Sequence, residues 1–517
     1  MAVAGVATTL DCSLASLHTI IPENATLNYV EKLSEGSAFG DENQLPLTGR
    51  DLPPGCAVGY SVPSSANSTL RIALLLPTDW NGRFMASGGS GFSGHTSWSD
   101  MGFYGHYGFA SMSTNQGHTS YGLDADWAMN NPEAIIDWAH RGIHLAAQNS
   151  KEIVEQYYGS NIEYSYYTGC STGGRQGLKL VDLYPEDFDG ALIGSPAWSM
   201  VRLAGWVTKL GIWNLPADDP SHIPASLLNL VAMEQIKLCD QRDGVADGIV
   251  MDPTICRPSL AHLSCKDNQT DNCLTDPQFK TLSRLSSDWT DSNGSLIKPT
   301  FDPGAEFTIL AGVDSEPIEL ATSLFTNMVF NDSQWDWRTL DEETIQLADE
   351  VNPGQMDVRQ RDFSPFKDRG GKLIMYHGWA DQAIPAQSSL LFRDRISQTM
   401  GSEEVDEFYR LYMMPGVQHC VSSYNDAPWS IGGVGQGDFN SRHEGPGYVD
   451  DAEHNALLAL MRWVEEGDAP GHIVASKFVN NSVALGVVGQ RPLCAYPQKA
   501  VYVGGAIDKT EGWKCQS

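Results

Sequence analysis

Apolar positions in the first 200 residues fall into short runs divided by glycine-rich turns and by longer stretches at helical spacing. Residues 71–77 (RIALLLP) and 82–87 (GRFMAS) read as buried strands, the second running into Gly88-Gly-Ser-Gly91. Residues 132–151 (PEAIIDWAHRGIHLAAQNSK) place apolar side chains three to four apart behind a proline, which predicts an amphipathic helix. Residues 162–167 and 190–194 predict two further strands with a helix between them. Alternation at this spacing predicts an α/β fold with a largely parallel sheet.

The pattern is lost between about 203 and 366, a stretch holding four of the ten cysteines and an Asp/Gly-rich loop. It resumes with strands at 372–376 and 408–413 and helices at 387–401 and 451–467. The expected organisation is one α/β catalytic domain, 1–202 plus 367–517, with a separate domain, 203–366, inserted between its strands. An insertion there lies over the carboxyl ends of the strands, where α/β sheets bind ligands. There is no fixed-period repeat and no low-complexity tract.

Charge narrows the function. The chain has 33 Lys and Arg against 64 Asp and Glu, a formal net charge of -31, which repels a phosphate backbone and argues against nucleic acid. No run approaches the roughly 20 apolar residues that span a bilayer, so no membrane role is expected. The start, MAVAGVATTLDC, lacks a basic n-region and a full apolar segment and reads as a mature secreted chain. Ten cysteines without a C-x-x-C pair predict five disulfides and an oxidising compartment. Sequons at Asn24, Asn67, Asn268, Asn293, Asn331 and Asn480 are the candidate glycosylation sites and agree with secretion.

The chemistry centres on Gly169-Cys170-Ser171-Thr172-Gly173, a G-x-S-x-G placed after a predicted strand and before a predicted helix. Flanking glycines permit the sharp turn that presents a serine nucleophile above a sheet. The same fold requires an acid and then a histidine later in the chain. Asp381 follows the strand KLIMY in His377-Gly-Trp-Ala-Asp381, and His419 follows FYRLYMM in Pro415-Gly-Val-Gln-His419-Cys420. Ser171, Asp381 and His419 are therefore the expected triad. His377 precedes the acid and is expected to brace its loop. His95, His106 and His118 are expected to be structural or substrate-facing rather than bases.

Cys170 precedes the serine and Cys420 follows the histidine. If the two catalytic side chains meet, their neighbours come within the roughly 5–6 Å Cα separation of a disulfide, so a Cys170–Cys420 bridge is expected. Proximity in sequence suggests Cys239–Cys256, Cys265–Cys273 and Cys494–Cys515, leaving Cys12–Cys56. Thr172 N–H is one expected oxyanion donor, and the Gly88–Gly89 turn is placed to supply another. In the insertion, residues 239–253 (CDQRDGVADGIVMDP) set acidic side chains around two Asp-Gly turns. Hard oxygen ligands with the carbonyls of Val245 and Ile249 suit Ca²⁺, and two solvated turns would carry the same residues.

The elbow GCSTGGR, the HGWAD loop and PGVQHC together resemble the tannase and feruloyl esterase family, with landmarks in order from about residue 80 to 420. The resemblance implies an α/β-hydrolase fold with a large inserted lid domain, and a triad tied by a disulfide between serine and histidine. It implies Asp240, Asp243, Val245, Asp247 and Ile249 as ligands of a structural calcium ion in the lid, and no organic cofactor. It also implies a secreted serine carboxylesterase acting on hydroxycinnamoyl esters, either small or borne on plant cell-wall polysaccharide. The alternatives are a tannase cleaving galloyl esters and a catalytically inactive hydrolase fold used for binding. Trp206, Trp213, Phe325, Phe330, Trp335 and Trp337 are the aromatic candidates for substrate contact or for lid core. Nothing in the sequence bears on oligomeric state.

Overall fold

The computed structural model describes residues 9–40, 48–267, 269, 271–306, 308, 310–312, 316–436 and 448–517. Nine strands form its main sheet: β1 (Thr26–Leu33), β2 (Gly55–Ser65), β3 (Ser68–Pro77), β4 (Arg83–Ser87), β5 (Ala110–Thr114), β6 (Tyr164–Cys170), β7 (Gly190–Gly194), β8 (Lys372–Gly378) and β9 (Tyr409–Met414). Their spatial order is β1-β2-β3-β5-β4-β6-β7-β8-β9. The pairs from β5 to β9 are all parallel, and β1, β2 and β3 add an antiparallel edge. The central strands are buried along their length, as β7 is at every residue, because helices cover both faces. This is the expected α/β-hydrolase fold.

One face packs on α2 (Gly142–Tyr158), α3 (Thr172–Leu183) and α5 (Gln387–Met400), through Ile153, Leu178 and Phe392. The other packs on α1 (Trp98–His106) and α6 (Ala456–Glu466), through Phe103, Leu460 and Trp463. The helix expected at 132–151 is longer and interrupted. Asn131 caps its start, accepting from Ala134 N–H at 3.4 Å, and Pro132 occupies the first turn. A π turn at Asp137–Arg141 precedes α2, which ends at Gly159 in left-handed backbone (φ 64°).

Between β7 and β8 the chain leaves the sheet and returns only at Lys372. The expected boundary at residue 203 falls inside α4 (Met200–Asn214), so the excursion begins earlier, before that helix. It packs α4 on residues 301–356 through Trp206, Phe325 and Ile345, in a cluster that also takes in Phe92 and Trp138 from before β6. The five disulfides are Cys12–Cys56, Cys170–Cys420, Cys239–Cys256, Cys265–Cys273 and Cys494–Cys515. Asn24, Asn67, Asn293, Asn331 and Asn480 are exposed, and Asn268 lies outside the described residues.

Candidate active site

Ser171 sits between β6 and α3 with φ 60° and ψ -122°, a backbone conformation rare outside such elbows. The flanking glycines are sterically required. A Cβ on Gly169 would lie 2.5 Å from the Gly173 carbonyl oxygen, and one on Gly173 would lie 2.6 Å from Gly89 O. Ser171 N–H is anchored on Gly194 O at 3.0 Å, and Ser171 O accepts from Arg175 N–H and Ala197 N–H.

The loops after β8 and β9 deliver the other two groups. Asp381 is buried, with Oδ2 2.7 Å from His419 Nδ1. Its Oδ1 accepts from Ala383 N–H and Ile384 N–H, both at 2.8 Å. Burial by itself would raise this carboxyl. The charge of His419 and the hydrogen bonds from His377 and His419 outweigh it and hold Asp381 well below the usual carboxylate range. His377 Nε2 lies 3.1 Å from Asp381 Oδ2, while its Nδ1 meets Ser389 Oγ at 2.7 Å. It is fully buried, as a bracing residue requires. His419 N–H donates to Gln382 Oε1 at 3.0 Å.

The Cys170–Cys420 bridge joins the residues flanking Ser171 and His419, with a Cα separation of 6.0 Å. Ser171, Thr172 and His419 open on one cavity of about 460 Å³. Its inner wall is aliphatic, from Met200, Leu203, Ala204 and Val207 of α4 and from Ile318 and Leu320. Tyr121 and Leu123 stand at the rim, 77% and 62% exposed. His95 lines the cavity and has a buried Nδ1 without a partner; burial holds it below the ordinary histidine value. His106 and His118 instead bond main-chain carbonyls, of Asp51 and Phe92 respectively, and are structural.

One expectation needs correction. Gly88 N–H donates to Thr168 O at 2.9 Å and Gly89 N–H to Gln176 Oε1 at 2.9 Å. Both amides are therefore engaged inside the fold and cannot serve an oxyanion as they stand. Thr172, the first residue of α3, keeps the free N–H of a helix start. Ser90 N–H is bonded to Ser93 Oγ, while Gly91, in left-handed backbone at φ 53°, stands on the cavity wall. Of the two roles expected for the aromatic candidates, the packing gives lid core. Trp206 packs on Phe301, and Phe325 and Phe330 stack on Trp335, as lid core. Trp213 is packed against the same core, and Trp337 lies under the Arg338 guanidinium. The aliphatic face of α4 was missed because its spacing is that of any buried helix.

In the lid loop, Asp240 Oδ1 accepts from Asp247 and Gly248 N–H, and Asp243 Oδ1 from Val245 N–H. Asp247 Oδ2 pairs with Arg491 at 2.7 Å. Among the described residues no three acidic, His or Cys side chains converge on one point. Asp243 Oδ2, however, is buried without a partner. Burial, with Asp247 and Asp240 adding to it, pushes that carboxyl up to about 6. An orphaned buried carboxylate oxygen beside two further acids fits a hard cation.

The model of a family described as "Tannase and feruloyl esterase" matches residues 56–516. A Neosartorya fischeri protein named "Probable feruloyl esterase B-2" is 35% identical over 517 residues, covering 96% of this chain and 94% of its own. The Aspergillus terreus protein of that name is 33% identical over 467 residues, 89% and 86% of the two chains. Among solved structures, feruloyl esterase B from Aspergillus oryzae superposes with a TM-score of 0.89 at 31% identity, over 96% of this chain and 98% of that one. Tannin acyl hydrolase from Aspergillus niger shares the fold, with a TM-score of 0.76 at 21% identity over 99% and 96%. With its serine elbow, its Asp381–His419 pair and the bridge between their loops in place, this chain belongs to the tannase and feruloyl esterase family.

Proposed function

We propose that this carboxylic ester hydrolase is a secreted feruloyl esterase, cleaving hydroxycinnamoyl esters through an acyl-enzyme on Ser171. The observation that carries the mechanism is the 2.7 Å contact of Asp381 with His419, in a loop bridged to the serine elbow. In this reading His419 Nε2 takes the Ser171 proton as Oγ attacks the ester carbonyl. Asp381 keeps Nδ1–H facing inward and stabilises the imidazolium. Thr172 N–H and the Gly91 amide are the oxyanion donors. His419 then protonates the departing alcohol, and water repeats the cycle on the acyl-enzyme. The apolar wall of α4 suits an aromatic acyl group, and the open rim at Tyr121 and Leu123 leaves room for a sugar alcohol.

Feruloyl over galloyl specificity is favoured by the closer likeness to feruloyl esterase B than to tannin acyl hydrolase, 31% against 21% identity. Five disulfides and exposed sequons support an extracellular site of action, and plant cell-wall esters are the substrates proposed there. A structural Ca²⁺ in the lid, on Asp240, Asp243, Asp247 and the carbonyls of Val245 and Ile249, is part of the same reading. It would neutralise the acids of the loop and takes no part in the chemistry.

The test is initial rates on methyl ferulate, caffeate, sinapate and gallate, with Ser171→Ala as control. Hydroxycinnamates are expected to turn over and gallate not, with all activity lost in the mutant. A preference for gallate would make the enzyme a tannase. Substantial activity in Ser171→Ala would overturn the nucleophile assignment.

A further inference from the structure

A second cavity, of about 560 Å³, shares a wall with the catalytic one. The segment 197–200 lines both, Ala197 and Met200 on the catalytic side and Trp198 and Ser199 on this one. Its charge opposes that of the whole chain. Arg202, Lys298, Arg359, Arg361 and Arg395 line it against only two acids, Asp349 and Asp357, in a protein with nearly twice as many acidic as basic residues.

Of those two acids, Asp349 is ion-paired and Asp357 is the one whose charge acts on Lys298. Asp349 pairs with Arg202 at 2.8 Å, and Asp357 Oδ1 accepts from Val201 N–H at 3.2 Å. Lys298 is 3% exposed and, among the described residues, has neither an ion pair nor a side-chain hydrogen bond. A buried ammonium is costly unless anionic charge reaches it, and here Asp357 offsets that cost only in part. Burial pushes Lys298 down to about 8, with Asp357 opposing the shift, so it stays charged at neutral and acidic pH. Arg361 is exposed at the mouth and likewise carries no ion pair among the described residues.

The remaining wall is apolar: Trp198, Leu296, Ile297, Pro299, Val358 and Leu391. The lining joins these cations to an apolar surface, with the Arg395 guanidinium 4.8 Å from the Trp198 ring centroid, and the combination suits a ligand with an anionic head and a flat apolar body. Inorganic phosphate or a sugar acid would leave that wall uncovered. We propose that this cavity is a second ligand site, taking a small aromatic carboxylate with its carboxylate on Lys298 and Arg361 and its ring against the apolar lining of Leu296, Ile297 and Pro299. The acid released in the proposed reaction belongs to this class; that link rests on the feruloyl esterase reading, whereas the binding itself does not.

The test is calorimetric titration of the wild-type protein with free ferulate, with galacturonate and inorganic phosphate as the competing anions. Two ferulate sites are expected, one in each cavity. Lys298→Met and Arg361→Gln should each weaken one of them at least tenfold while leaving KM for methyl ferulate unchanged. Arg361 is at the surface, so its variant carries the test if Lys298→Met fails to fold. Unaltered ferulate titrations in a folded variant would overturn the proposal, as would galacturonate or phosphate binding there as tightly as ferulate. Because binding of the free acid needs no turnover, the result is independent of whether the esterase assignment stands.

Discussion

At the scale of single residues the site depends on one buried carboxylate held between two imidazoles. Asp381 Oδ2 receives His419 at 2.7 Å and His377 at 3.1 Å, and the two imidazoles have unequal roles. Of these two, His419 is the one that lines the substrate cavity. His419→Gln is expected to lower kcat by about 10³-fold or more. His377→Gln keeps a donor near Asp381 and should cost much less in kcat, with no change in KM; comparing the two variants' steady-state constants checks this. The Asp381 carboxyl titrates lower in the folded chain than in the unfolded one. Its stabilisation is therefore complete above the unfolded value of about 3.9 and is lost only as pH falls below that toward the folded value. Asp381→Asn should lose stability against wild type at pH 6 in urea, with the gap narrowing at the acid limit.

Elements set the precision of these contacts. The turn from β6 into α3 closes so tightly that Gly173 touches the Gly88–Gly89 loop, and this same closeness engages the amides of that loop. Gly173→Ala puts a Cβ 2.6 Å from Gly89 O and is expected to destabilise by about 1–3 kcal/mol and to impair turnover. Thermal denaturation and kcat/KM measured together would show both. The Cys170–Cys420 bridge closes a loop of 250 residues, for which the chain-entropy relation gives about 5.5 kcal/mol. A Cys170→Ala, Cys420→Ala double variant should fall in kcat by more than its stability loss explains. Unchanged kcat in folded protein would show that the bridge is only structural.

On the scale of the whole molecule, the sheet supplies the reacting groups and the excursion between β7 and β8 supplies the walls. Both cavities lie against the start of α4, where the chain departs from the sheet. A net charge of -31 concentrates self-repulsion, and the lid loop adds acids within a few residues of each other. If calcium occupies that loop, EDTA should lower the melting temperature by a few degrees, calcium should restore it and magnesium should not. A melting temperature indifferent to chelator would remove calcium from the account. Asp243→Asn should reproduce the loss and abolish the response.

Much of this was legible in the sequence because it is local. The elbow needs glycine at 169 and 173 whatever surrounds it, strand runs of apolar residues mark a sheet buried on both faces, and the order Ser171, Asp381, His419 follows from strand order. Adjacency in sequence even predicted a disulfide across 250 residues, since two groups that must meet carry their neighbours with them. What only the tertiary structure decided is how side chains and amides from distant segments are used once they are packed. Gly88 and Gly89 look like free donors until Thr168 and Gln176 arrive beside them. The lid's aromatic residues suit substrate contact or lid core equally until they stack on each other and leave the cavity wall to the aliphatic face of α4. Lys298 is an ordinary residue in a short strand until packing buries it at the wall of a cavity lined by four arginines. Spacing encodes which groups a segment offers; packing decides which of them remain free.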